Sequence, residues 1–318
     1  MSKLRVFQNA KKNRAVSGFS LGNLGTVLLM LFFLPYMITF AMGNTWDDKQ
    51  EVSLINEEQL AESTFVIVNQ TALGEENIPL EIYVADKLER AMGENYEEEA
   101  LKAQAVLIRT NLLSQKKQTI EIEDATYGSK NVSEKCRMAV YETRGVYLQY
   151  EKEPVYAAYF KVSSGVTRSG LYPYLKSVPC NRDFLSEEYL STVSFSKESF
   201  EKKWLTVKKT DSQIVEAEKA EKEKNGDFSL VRDDSGYVKF FAYQDEWVQG
   251  EEFRYEYGLA SSDFQISEDE RNIIFEVKGI GHGFGMSQFG ANEMAKDGKT
   301  YPEILEYFFQ DVTMTKAK

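Results

Sequence analysis

Three stretches of this chain carry residues whose types and spacing could do chemistry. The first is GIGHGFGMSQFGANEMAKDG, Gly279–Gly298, where four glycines surround His282, the single histidine of the chain. Glycines at that density let a backbone run close to another body, and Ser287, Gln288 and Asn292 begin the segment that follows. The stretch lacks the Lys-Ser/Thr ending of a phosphate-binding P-loop. The glycines of GMSQFG are also one residue too far apart for a hydrolase nucleophile elbow. Taken alone it is a ligand loop of unspecified type. The second stretch, Glu97–Asn111, sets Gln104 and Arg109 into an otherwise apolar helical face. Both can serve as binding groups, or Arg109 can snorkel and Gln104 bond a neighbouring loop. The third, Ala157–Gly170, is a strand that runs into a small hydroxyl-rich loop with Ser163 and Thr167. Such loops often simply turn. Cys136 and Cys180 match no metal-binding spacing. Two unlinked thiols and one disulfide are equally compatible with the sequence.

The elements that position these residues are legible in part. Pro79 suits the first turn of a helix, on which Leu80, Val84, Leu88, Ala91 and Met92 share one face until Gly93 ends it. A second helix is expected from Glu97 to Lys117, with acids in its first turn and lysines in its last. Strand patterns occur at Val146–Tyr150, Val155–Val162, Ser191–Phe195 and Ile273–Val277. Residues 197–224 read as a charged helix. Phe228–Arg232 and Tyr237–Tyr243 flank DDSG as a hairpin. Ser287–Lys296 and a segment opened by Thr300, Pro302 and Glu303 read as a final helix pair. Helices and strands are mixed without βαβ alternation, so the expected class is α+β with antiparallel strands in one domain.

The chain has 318 residues and a net charge of -12, and its acidity argues against nucleic acid as a partner. The basic residues Lys3, Arg5, Lys11, Lys12 and Arg14 precede an apolar run, Leu24–Gly43, that is long enough to span a bilayer. The charge order puts the N-terminus in the cytoplasm. A cleavable signal peptide ending near Ala41 and Gly43 is the competing reading; the length of the run favours a retained anchor, and either places the body outside the cytoplasm. The expected organisation is a cytoplasmic basic tail (1–23), a transmembrane anchor (24–43), a juxtamembrane linker (44–76) with one short strand at Thr64–Val68, and a folded domain (77–318).

Together the stretches resemble the stage II sporulation protein D (SpoIID/LytB) family. Its pattern runs EYVxGVVxxEMP, LEALKAQAVAARTY, AxYHSxSGGxT and GHGVGMSQYGAxxMAxxGxxYxEIL. These match Ile82–Gly93, Glu98–Asn111, Ala157–Thr167 and Gly281–Leu305 in order. The resemblance covers about residues 78–316. It implies a peptidoglycan lytic transglycosylase, or an enhancer of a cell-wall amidase, with no cofactor. Its ligands would be glycan strands, held by Gln104, Arg109, Ser163, Thr167, His282, Ser287 and Gln288. Its partner would be a wall amidase or another anchored wall protein. The reaction needs a carboxylic acid to protonate the glycosidic oxygen. At the position of that glutamate this sequence has Ala91, which cannot transfer a proton. Glu89 falls on another face of the helix, leaving Glu94, beyond Gly93, as the substitute to test. Phe160 stands in place of the histidine of the YHS motif, so the zinc site of some relatives is not expected here. Ser164 replaces one of the paired glycines. The expected function is glycan binding and wall remodelling with impaired cleavage; the alternative is an active transglycosylase using Glu94.

Overall fold

The structure is a computed structural model and describes residues 66–71, 74–115, 119–124, 126–170, 172–209 and 222–316. Two strands, Val66–Thr71 (β1) and Gly74–Pro79 (β2), pair antiparallel within and just after the stretch expected to be linker. The helix expected from Pro79 begins one residue later, at Leu80, and runs to Ala91 (α1). It is amphipathic as its spacing requires, with Leu80, Val84 and Leu88 buried. Gly93 stops it with φ +74°, a left-handed conformation that costs glycine little.

The second helix, Glu98–Leu113 (α2), is shorter than expected because the chain turns at Ser114 and Gln115. Its Ala100, Leu101, Ala103, Ala105, Val106, Leu107, Ile108 and Leu112 are all buried. A helix that is apolar all round must lie inside a bundle, and α2 divides two cores. One is shared with α1 and with Glu134–Glu142 (α3), which follows the strand Thr119–Glu123 (β3). The other is shared with the chain's last two helices. Val146–Tyr150 (β4) and Glu153–Pro154 (β5) form a hairpin beside it. The strand expected over Val155–Val162 is regular only at Tyr159–Phe160 (β6). Around it the backbone makes scattered bonds to other segments, Val155 to Leu148 and Val162 to Ile280, while the Asn111 side chain holds Ala157.

A second lobe is built from sheets and aromatic side chains. Leu190–Ser196 (β7) leads into the helix Lys197–Trp204 (α4). The charged helix expected over 197–224 stops there. Residues 210–221 lie outside the described residues, and Glu223–Asn225 (β8) is a strand, folded by Gly226 (φ +60°) against Phe228–Arg232 (β9). The DDSG hairpin forms as its sequence requires. Asp233 Oδ1 accepts hydrogen bonds from the amides of Ser235 and Tyr237, and Val238–Tyr243 (β10) returns beside β9. Glu246–Gln249 (β11) extends that sheet and feeds the helix Gly250–Tyr257 (α5). Phe264–Glu268 (β12), Asn272–Lys278 (β13) and β7 make a separate antiparallel sheet in the order β12-β13-β7. Between the sheets Phe200, Trp204, Phe228, Phe241, Phe253, Phe264 and Phe275 fill one core. Each buried ring contributes roughly 2 kcal/mol of apolar transfer.

The chain then returns to the helical lobe through the short strand Met286–Ser287 (β14), parallel to β6. The last two helices follow, Gln288–Lys296 (α6) and Tyr301–Phe308 (α7). The capping box at Thr300 and Glu303 forms as expected, and Thr313–Lys316 (β15) closes the chain against β4. The fold is thus mixed helices and mainly antiparallel sheets, with β1 and β3, and β6 and β14, paired parallel. Among the described residues no helix is long and apolar enough to cross a membrane; the run 24–43 lies outside them. Cys136 and Cys180 are unlinked and buried in different cores.

Candidate functional site

The glycine-rich loop approaches its own chain. Gly279, Gly281, Gly283 and Gly285 all have positive φ. A Cβ at Gly285 would stand 2.1 Å from the Ala158 carbonyl oxygen, and one at Gly281 would stand 2.6 Å from Phe160 Cβ. Gly279, Gly281 and Gly285 therefore serve a backbone packed on residues 158–164, and Gly283 makes room for Tyr237 and Arg168. Arg168 locks the arrangement. Its guanidinium lies 4.6 Å from the Phe284 ring centroid and 5.0 Å from that of Tyr237, and it pairs with Asp233 (2.6 Å) and Glu251 (2.9 Å). One side chain thus ties the hydroxyl-rich loop, the glycine loop and the sheet lobe together.

Several residues expected to touch a ligand are used up inside the fold. Ser287 caps α6, accepting from the Gly290 amide, and donates to Asp183 at 2.5 Å. Ser163 gives its amide to the same Asp183 oxygen and accepts from the Gly165 amide. Thr167 donates to the Lys176 carbonyl and accepts from the Val178 amide. Asp183 is wholly buried, and burial raises its pKa despite the bonds it accepts. Its second oxygen has no hydrogen-bond partner among the described residues. Asp183 escaped the sequence reading because an acid in an irregular segment carries no periodic signal.

Arg109 is also internal. It is wholly buried, donates to both oxygens of Glu81 at 2.8 and 2.6 Å, and gives its remaining nitrogen to the Val146 carbonyl. Each guanidinium nitrogen has a protein partner, so Arg109 braces α2 against α1 and β4. A signal for this existed. Glu81 stands three and seven residues before Val84 and Leu88, on the buried face of α1.

Gln104 and Gln288, 184 positions apart, do meet: Gln288 Nε2 donates to Gln104 Oε1 at 3.2 Å, and Gln104 Nε2 is buried without a partner among the described residues. His282 is half-buried, with its ring against Phe160 and Phe284. Its Nδ1 accepts from the Phe284 amide. Burial holds it below its ordinary pKa, so it is neutral at physiological pH.

Ala91 is half-buried at the end of α1. Next to it Met92 packs against both helical-lobe cores, as does Tyr159, so the end of α1 and β6 border one region. Glu89 points elsewhere, binding the amide and hydroxyl of Ser133 at the cap of α3. The Glu94 side chain is exposed, and its carbonyl accepts from Lys135.

A family model described as stage II sporulation protein matches residues 69–150, which hold Ala91, Gln104 and Arg109. Stage II sporulation protein D of Bacillus amyloliquefaciens is 32% identical over 275 residues, covering 76% of each chain. The chain belongs to the stage II sporulation protein D family. The protein of that name from Bacillus subtilis (strain 168) is 32% identical over 273 residues, again 76% of each chain. An amidase enhancer of the same strain is 26% identical over 267 residues, spanning 68% of this chain and 38% of the relative. For this family member, the motifs that mark it converge in space mainly as scaffold: Arg109, Ser163, Thr167 and Ser287 hold the segments that carry Ala91, Tyr159 and His282.

Proposed function

We propose that this family member binds glycan strands of cell-wall peptidoglycan and takes part in wall remodelling, in sporulation or wall turnover, while cleaving the strands little or not at all. The observation that carries the reading is the end of α1. The family resemblance puts a glutamate at Ala91, and neither neighbouring acid stands in for it. Glu89 is tied to α3, and Glu94 is exposed on the loop after Gly93. A general acid must be near the scissile oxygen and protonated at working pH, which burial achieves and solvent exposure does not. The kinship with an amidase enhancer supports a wall amidase as partner. The same reading has residues 24–43 anchor the domain in the cell membrane, N-terminus in the cytoplasm and folded domain outside the cytoplasm.

The test is incubation of the purified protein with peptide-free glycan strands, followed by mass spectrometry for anhydro-ended products and by co-sedimentation for binding. Binding without product is expected. Product formation by the wild type that is abolished in Glu94→Gln would instead establish the active transglycosylase reading.

A further inference from the structure

The helical lobe carries a run of four tyrosines outside the four motifs quoted above. Tyr150 packs on Tyr174 (centroids 5.5 Å apart), Tyr174 stacks on Tyr172 (5.3 Å, 9° between planes), and Tyr172 meets Tyr156 (6.1 Å). Tyr174 is buried, whereas Tyr156 and Tyr172 are 52% and 45% exposed. The exposed pair is nevertheless held in place. The Tyr174 hydroxyl accepts from the Tyr156 amide at 3.0 Å. The next residue, Ala157, is clamped through both its amide and its carbonyl by the side chain of Asn111, each at 2.8 Å.

Rigid, exposed aromatic faces with a phenol at the rim cost little ordering entropy on binding. Two rings bury roughly 150–250 Å² each, well short of the roughly 800 Å² that a stable protein partner covers on one side. The patch fits one pyranose ring, with its apolar C–H face on the tyrosines and its hydroxyls toward the phenols. Position supports the same occupant. Tyr156 precedes Tyr159 by three residues, about 10 Å of extended chain, and Tyr159, like Met92 next to Ala91, packs against both helical-lobe cores.

We infer that Tyr156 and Tyr172 form an outlying sugar subsite that lengthens the glycan footprint beyond the end of α1, an inference that rests on the glycan-binding reading. The experiment compares peptide-free glycan strands of two and of six or more sugars by calorimetric titration of the full chain. Tyr156→Ala/Tyr172→Ala should weaken long-strand binding by about tenfold or more and leave two-sugar binding unchanged, and Tyr172→Phe should retain most of the affinity. In the wild type, long strands but not two-sugar fragments should protect Tyr156 and Tyr172 from acetylimidazole, read by peptide mass spectrometry, with the exposed Tyr255 as an unprotected reference. That readout does not depend on whether the variants fold. Long-strand binding that survives both substitutions, an equal loss at all lengths, or no protection would overturn the subsite and leave the proposed function standing. A wild type that binds no strand of any length would overturn both.

Discussion

Ala91 is the residue on which the proposed chemistry turns. It is half-buried and follows Val84 and Leu88 on α1, so a carboxylate there would be partly desolvated and its pKa raised toward neutrality. Ala91→Glu should therefore yield anhydro-ended products where the wild type yields none, and Glu94→Gln should change nothing in either background. Product mass spectrometry reads both. Asp124 offers a residue-scale test of stability. Burial would raise its pKa, but hydrogen bonds from Thr126, Tyr83 and Arg90 outweigh that and hold it well below the usual carboxylate range. The folded value lies below the unfolded one, so the stabilisation is full above about pH 4 and is lost as pH falls through the folded value. Asp124→Asn should lower unfolding free energy by about 1–3 kcal/mol at neutral pH. The difference should shrink in strong acid, as followed by urea midpoints.

At the scale of elements, the glycine loop and the helix pair α1–α2 decide whether the site exists. Gly285 and Gly298 both have positive φ (76° and 83°), but only Gly285 has backbone where its Cβ would go. Gly298→Ala should cost about 1 kcal/mol, the conformational penalty alone. Gly285→Ala should cost several times more, because β14 must move off Ala158 for the methyl group to fit. Thermal melts of the two variants provide the comparison. The α1–α2 brace behaves similarly. Glu81→Gln leaves the buried Arg109 charge without its counter-ion, and should destabilise by about 3–5 kcal/mol.

Across the whole molecule, the chain crosses from the helical lobe to the aromatic sheet lobe and back, and the last two of the four motifs, Ala157–Thr167 and Gly281–Leu305, lie at the two crossings. Arg168 joins the crossings, pairing with acids of the sheet lobe while covered by Tyr237 and Phe284. Arg168→Ala should lower the melting temperature and also weaken glycan binding, since the loop carrying His282 loses its tether. Arg168→Lys should recover only part, because lysine cannot make the paired contacts of the guanidinium. The proposed N-terminal anchor, residues 24–43, belongs to this scale as well. Protease added to intact cells should digest the body and spare the first residues, whereas a body protected until lysis would reverse the proposed orientation.

The sequence by itself determined whatever depends on neighbours in the chain. The apolar period of α1 and its stop at Gly93, the hairpin at Asp233–Gly236 and the capping box at Thr300 are set by residues within one or two turns of each other. The order of the motifs likewise identified the family, and the mixture of helical and strand patterns without βαβ alternation the α+β class. The tertiary structure decided which polar groups are free. From sequence, Arg109, Ser163, Thr167 and Ser287 look like ligand groups because polar residues in apolar or glycine-rich surroundings signal function. Their partners Glu81, Asp183 and Lys176 lie on other segments, and a buried polar group must be satisfied by whatever the fold brings to it. For the same reason the glycines of the His282 loop read as room for a ligand until residues 158–164, Arg168 and Tyr237 were found filling it. Tyr156 and Tyr172 were silent in the sequence because an aromatic residue's exposure depends on what packs over it, and only the buried Tyr174 beneath them makes the pair a surface.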